Sequence, residues 1–126
     1  MIEEAVTHLT QLWDRFTSPA SDIVREQFLA QISHIPQDDL KIVGDAIKRE
    51  IMEIRRESKE KALALVQLIF FLAELTHDEH LLAIGWHAKG VIFTIDEKNY
   101  EQAFQMYEKA EHIYRLHKDS VRVALM

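Results

Sequence analysis

Imidazoles at helical spacing can ligate a metal, and paired carboxylates can exchange protons with a substrate, so these residues are weighed first. His77 and His80 lie about one turn apart, and His87 follows two turns later, with Glu74 and Glu79 near enough to offer oxygens. The longer step separates His80 from His87 by about 10 Å along a helix axis, more than one ion bridges directly. The sequence contains no His-Glu-x-x-His motif. These histidines read as surface or half-buried polar residues, and neither a metal nor a cofactor is expected. His112 and His117 suit the negative end of a helix, while His8 and His34 have no evident partner. Glu3-Glu4 and Asp38-Asp39 stand where helices should start, a place for capping and dipole complementarity rather than acid–base work. Ser18, Ser21, Ser33, Ser58 and Ser120 are the candidate hydroxyl nucleophiles, but none follows a strand–turn–helix elbow and no glycine-rich phosphate loop occurs. With no cysteine in the chain, disulfides, thiolate metal sites and cysteine nucleophiles are excluded. No catalytic residue is assigned, and the chain is not expected to be an enzyme.

Binding chemistry is the next possibility. The most basic segment, Lys48-Arg49, Arg55-Arg56, Lys59 and Lys61, is interleaved with Glu50, Glu53, Glu57 and Glu60, the pattern of a solvated, ion-paired face. Glu57 with Lys61 and Glu108 with His112 have the spacing of helical surface pairs. The formal net charge of -6 opposes nonspecific binding of nucleic acid or anionic lipid, so neither nucleic acid nor membrane is expected as a partner. The apolar run from Ala62 to Ala73 falls short of the roughly 20 residues a membrane-spanning helix needs. No basic, apolar leader opens the chain, and the cytoplasm is the expected location. Trp13, Trp86, Tyr100, Tyr107 and Tyr114 could line a ligand groove, although their helical spacing also fits core packing.

The elements that would carry these residues are helices. At 126 residues the chain fits one globular domain, and three glycines and two prolines are few for a compact β-protein. Ile2, Ala5, Val6, Leu9, Leu12, Trp13 and Phe16 form one stripe, with Ser18-Pro19 as a break. Ile23, Phe28, Leu29, Ile32 and Ile35 form a second, closed by Pro36. A third helix runs from Leu40 to about Arg56, and Ser58 caps a fourth over Lys59 to Leu75 that is apolar on nearly every side. Such a helix must be central or lie at an interface. Thr76 or Asp78 caps a fifth helix over Glu79 to Ile95, and a sixth spans Tyr100 to Leu116. Ser120 to Met126 opens another apolar pattern that stops after about two turns, the mark of a chain cut from something longer or of a short terminal cap.

An offset of 41 residues places Leu40 on Leu81, Gly44 on Gly85, Ala62 on Ala103, Leu75 on Leu116, and Asp78 on Asp119. A period that spans two helices predicts stacked helical hairpins. The segment Trp86-His87-Ala88-Lys89-Gly90-Val91-Ile92-Phe93, followed by Asn99 through Ala110, resembles a tetratricopeptide repeat. Trp86, Gly90 and Phe93 match the family's large, small and aromatic positions of the first helix, and Ala103, Tyr107 and Ala110 those of the second. The period of 41 exceeds the family's usual one, and the earlier pair departs from the motif, with Asp45 and Arg49 where Trp86 and Gly90 stand later. Longer repeats with a Gly-Asp-like turn, here Lys118-Asp119, are similar to those of multidomain bacterial regulatory proteins, some of which precede a CHAT-type peptidase domain.

The expected fold is therefore all-α, with an N-terminal helical hairpin over 1–36 and tetratricopeptide-like hairpins over 37–126 stacked as a short solenoid that begins a longer array. The resemblance implies a noncatalytic scaffold that binds a protein, a peptide or other domains of a parent chain. Its partner would lie on the concave face, with Asp45, Lys48, His87, Lys89 and Thr94 as candidate contacts. Two alternatives stand beside it: a module that self-associates through 62–75 or its C-terminal end, and a helical bundle that encloses a ligand or an active site.

Overall fold

In the computed structural model, which describes residues 2–15 and 22–124, every regular element is helical and no strand occurs among the described residues. The elements are α1 (Ile2–Arg15), α2 (Asp22–Ile32), a 3-10 turn (Gln37–Asp39), α3 (Leu40–Ile54), α4 (Lys59–Thr76), α5 (Glu79–Ile95), α6 (Tyr100–Leu116) and α7 (Ser120–Ala124). The expected roles of Phe16, Ser18, Pro19, Leu125 and Met126, and the candidate hydroxyl of Ser21, lie outside the described residues.

Helix starts are set where side chains can satisfy free backbone donors. Ser58 accepts from the Lys61 amide, Asp78 from Leu81, Asn99 from Gln102, and Asp119 from Arg122. Acidic Gln37-Asp38-Asp39 does not cap α3 directly but forms the 3-10 turn that precedes it. The second stripe is also corrected. The buried residues of α2 are Val24, Phe28 and Ile32, one residue per turn, whereas Ile23 and Leu29 are exposed.

Helix α4 occupies the middle of the core. Ala62, Val66, Leu68 and Ile69 are fully buried, and α1, α3 and α5 all pack against the helix. Phe71 completes an aromatic group with Trp13 and Phe28, at centroid distances of 5.4 and 5.0 Å, while Trp13 Nε1 donates to the Ala64 carbonyl at 2.9 Å. Most apolar residues of 62–75 are buried within the chain, whereas Leu63, Phe70 and Leu75 are half-buried and Ala64 is exposed.

Helix α5 crosses its neighbours at glycine. A Cβ on Gly44 of α3 would stand 2.6 Å from Leu81 Cδ2, and one on Gly90 would stand 2.7 Å from the Tyr107 ring of α6. The small residue lets the helices approach, and the facing side chain fills the space.

The two connections that follow α4 and α6 share one geometry. His77 (φ 54°) and Lys118 (φ 55°) are both left-handed, the next residue in each is the capping aspartate, and the aspartate amides reach back to Ala73 and Tyr114 carbonyls. Side chains also join positions one period apart: Gln37 Nε2 donates to Asp78 Oδ2 at 2.9 Å, and Arg55 pairs with Asp96 at 3.4 Å. Two cations of the basic segment thus pair across the fold, since Lys59 also meets Glu97.

Two substitutions test these constraints. His77→Gly removes the penalty of a side chain in a left-handed conformation at an exposed position, and raises stability by about 1 kcal/mol in urea unfolding. Gly90→Val forces branched carbon into the Tyr107 ring and lowers stability by about 2 kcal/mol by the same measurement.

Candidate functional site

A flank of α3 beside its buried residues carries Lys41, Asp45, Lys48, Arg49 and Met52, a spacing that keeps them on one side of the helix. His87 of α5, Tyr114 of α6, Asp119, and Val121 and Arg122 of α7 complete a groove of about 550 Å³. Helix α7 is held at its rim by a specific contact. Arg122 Nη1 and Nη2 donate to the two oxygens of Asp45 at 2.8 and 2.7 Å, and its Nε lies 3.1 Å from Asp119 Oδ2. The guanidinium also lies 5.7 Å from the Tyr114 ring centroid. A planar fork matched to a carboxylate fixes geometry as well as charge, so this pair sets where α7 sits relative to α3.

Beside it, Lys48 Nζ lies 2.9 Å from His87 Nδ1. An ammonium can only donate, so with Lys48 charged Nδ1 is the acceptor and the ring proton is on Nε2. The ring meets Tyr107 edge-on at 5.7 Å.

Burial governs the titration of these groups. It pushes His87 down to about 4, helped by the positive charges of Lys48 and Arg122 and opposed by Asp45. Burial likewise lowers Lys48, with Asp45 acting against it, and pushes the Tyr114 hydroxyl up to about 12. Hydrogen bonding to Asp45 raises Arg122 further above its ordinary value. At neutral pH His87 is therefore an uncharged acceptor and Arg122 a fixed cation.

Three of the five expected contact residues, Asp45, Lys48 and His87, come together in this groove. Lys89 and Thr94 do not line it. Lys89 Nζ lies 5.9 Å from the Trp86 ring centroid, and Lys109 Nζ lies 4.2 Å from the same centroid. Thr94 donates to the Gly90 carbonyl and meets the Tyr107 hydroxyl at 3.1 Å. Tyr114, one of the aromatic residues read as able to line a ligand groove, does so, and Asp119, read only as part of a turn, joins it, whereas Arg122 and Lys41 are groove residues that the sequence reading did not single out. The metal-candidate histidines are separated: His87 faces Lys48, whereas His80 meets His117 at a tilt with ring centroids 4.7 Å apart, and the two lie near Asp119 and Glu79 respectively. Burial and the neighbouring His117 lower His80. Among the described residues no group of three or more His, Asp and Glu side chains is placed to hold a metal ion. No helix among them is long and apolar enough to cross a membrane.

Comparison of the chain with protein-family models, curated proteins and solved structures returns no match.

The groove makes stability depend on pH. In the unfolded chain His87 protonates near 6.5, but in the native protein only near 4, so between these values the unfolded state holds more protons. This contribution is fully present above pH 6.5 and is lost as pH falls toward 4. His87→Gln keeps an acceptor without the titration, and its urea-unfolding stability falls less than that of the parent chain across this interval.

Proposed function

We propose that the chain is a noncatalytic protein-binding or scaffold segment, built as a short tetratricopeptide-like array whose groove between α3, α5 and α7 receives a segment of a partner. The observation that carries this reading is the recurrence of one connection at the 41-residue period: left-handed His77 and Lys118, capping Asp78 and Asp119, and the same backward amide bond in each. Equivalent connections carry successive hairpins in similar directions, and stacking then lays their first helices side by side. The packing of α3 on α5, the pairing of Gln37 with Asp78, and the pairing of Arg55 with Asp96 agree with such stacking. The resemblance of Trp86 through Ala110 to the tetratricopeptide motif agrees with the close Gly90–Tyr107 approach.

A noncatalytic role is supported by the groove's chemistry. Its lining includes no serine, threonine or cysteine, both of its carboxylates face Arg122, and its imidazole has little basicity near neutral pH.

Peptides selected on the immobilised chain from a random library test the reading. Arg49→Asp, in the groove, weakens the selected peptides by at least about tenfold, equivalent to roughly 1.4 kcal/mol. Gln105→Glu, on exposed α6 outside the groove, leaves them unchanged. Peptides indifferent to Arg49 but sensitive to Gln105 would move the binding face elsewhere.

A further inference from the structure

We propose that the groove takes an acidic polypeptide segment, held through aspartate and glutamate side chains; this rests on the reading of the groove as the partner-binding face. The charge of its lining runs against that of the molecule. Lys41, Lys48, Arg49 and Arg122 face only Asp45 and Asp119, in a chain whose formal net charge is -6.

The two carboxylates are already engaged. Arg122 holds Asp45 through both oxygens and lies against Asp119. What remains is cationic: Lys48 bonds to the neutral ring of His87, and among the described residues neither Lys41 nor Arg49 has an ion-pair partner. An incoming carboxylate would therefore find donors without having to displace an acidic side chain.

The spacing also suits an extended peptide. Lys41, Lys48 and Arg49 mark a row of about 12 Å along α3, the length of three or four extended residues. Asp38 and Asp78 line a separate notch that shares Lys41, so the strongest attraction falls at the Lys48–Arg49 end. Met52 and Val121, the latter 69% exposed, offer apolar contact beside the cations.

A nucleic acid would also present anions, but a long polyanion leaving so short a row meets the negative field of the remaining surface. The observations therefore favour a polypeptide.

The test follows amide shifts of the isotope-labelled chain during titration with peptides blocked at both ends. Their side chains alternate Glu with Ser, Gln with Ser, or Lys with Ser, and oligothymidylate serves as a fourth probe. The Glu peptide is expected to shift residues around Lys48, Arg49 and His87, to weaken severalfold as ionic strength rises, and to bind more tightly than the other three. Lys41→Glu combined with Arg49→Glu weakens it by at least about tenfold, and the paired Gln variants, which add no negative charge, weaken it less. Circular dichroism of these exposed-site variants reports whether the helices remain intact.

Equal or tighter binding of the Gln or Lys peptide at these same residues would overturn the acidic specificity while leaving the groove as a binding face. Tighter binding of oligothymidylate would overturn it in favour of nucleic acid. Shifts confined to another face, or no binding of the Glu peptide at millimolar concentration, would overturn the proposal itself, whereas failure of the library-selected peptides to respond to Arg49 would count against the groove.

Discussion

Helix α4 carries apolar side chains around most of its circumference, and no single neighbour can cover them. Burying residues such as Val66, Leu68, Ile69 and Leu72 contributes roughly 1.5–3 kcal/mol each, enough to organise a chain of this size. Helices α3 and α5 cover part of α4 and also pack against each other, while α1 and α2 bring Trp13 and Phe28 to Phe71. Once α3 turns Val43, Ile47 and Ile51 inward, its polar face must point outward. The groove is thus a consequence of covering α4: a polar face of α3 is left open beside α5, and α7 closes part of its rim.

Local determinants made most of the helical architecture legible. Ser58 and Asp78 announce helix starts, and the limits read for the fifth and sixth helices coincide with α5 and α6. The second helix was harder because Ile23 and Val24, and likewise Phe28 and Leu29, are adjacent apolar residues. Either member of each pair could belong to a stripe; docking of Phe28 against Trp13 and Phe71 sets the inward face, and Val24 is buried one turn earlier on that face. Propensity cannot make that choice, since it depends on where other helices lie.

The groove was legible on α3 and at His87 but not at its far rim. Asp45 and Arg122 are 77 residues apart, so no local pattern joins them. One signal was nevertheless present. At the period of 41, Arg122 follows Leu40 and Leu81, both of which are buried. A charged residue in the register of two core leucines calls for a specific partner, because its desolvation must be offset by paired charge.

That partner also breaks the 41-residue correspondence. Asp45 stands in the register where the later hairpin has Trp86, an aromatic residue packed on Phe70 at 4.8 Å. Taken separately, an aspartate in a tryptophan register and an arginine in a leucine register weaken the periodicity. In the structure they are bonded to each other, and Tyr114 and Asp119 support the arginine from the side. At two positions that correspond to apolar ones 41 residues away, the structure has a half-buried charge pair that spans α3 and α7. The pair has a chemical consequence beyond the position of α7: the same guanidinium engages both acidic side chains of the groove and leaves Lys41, Lys48 and Arg49 to determine what can approach it.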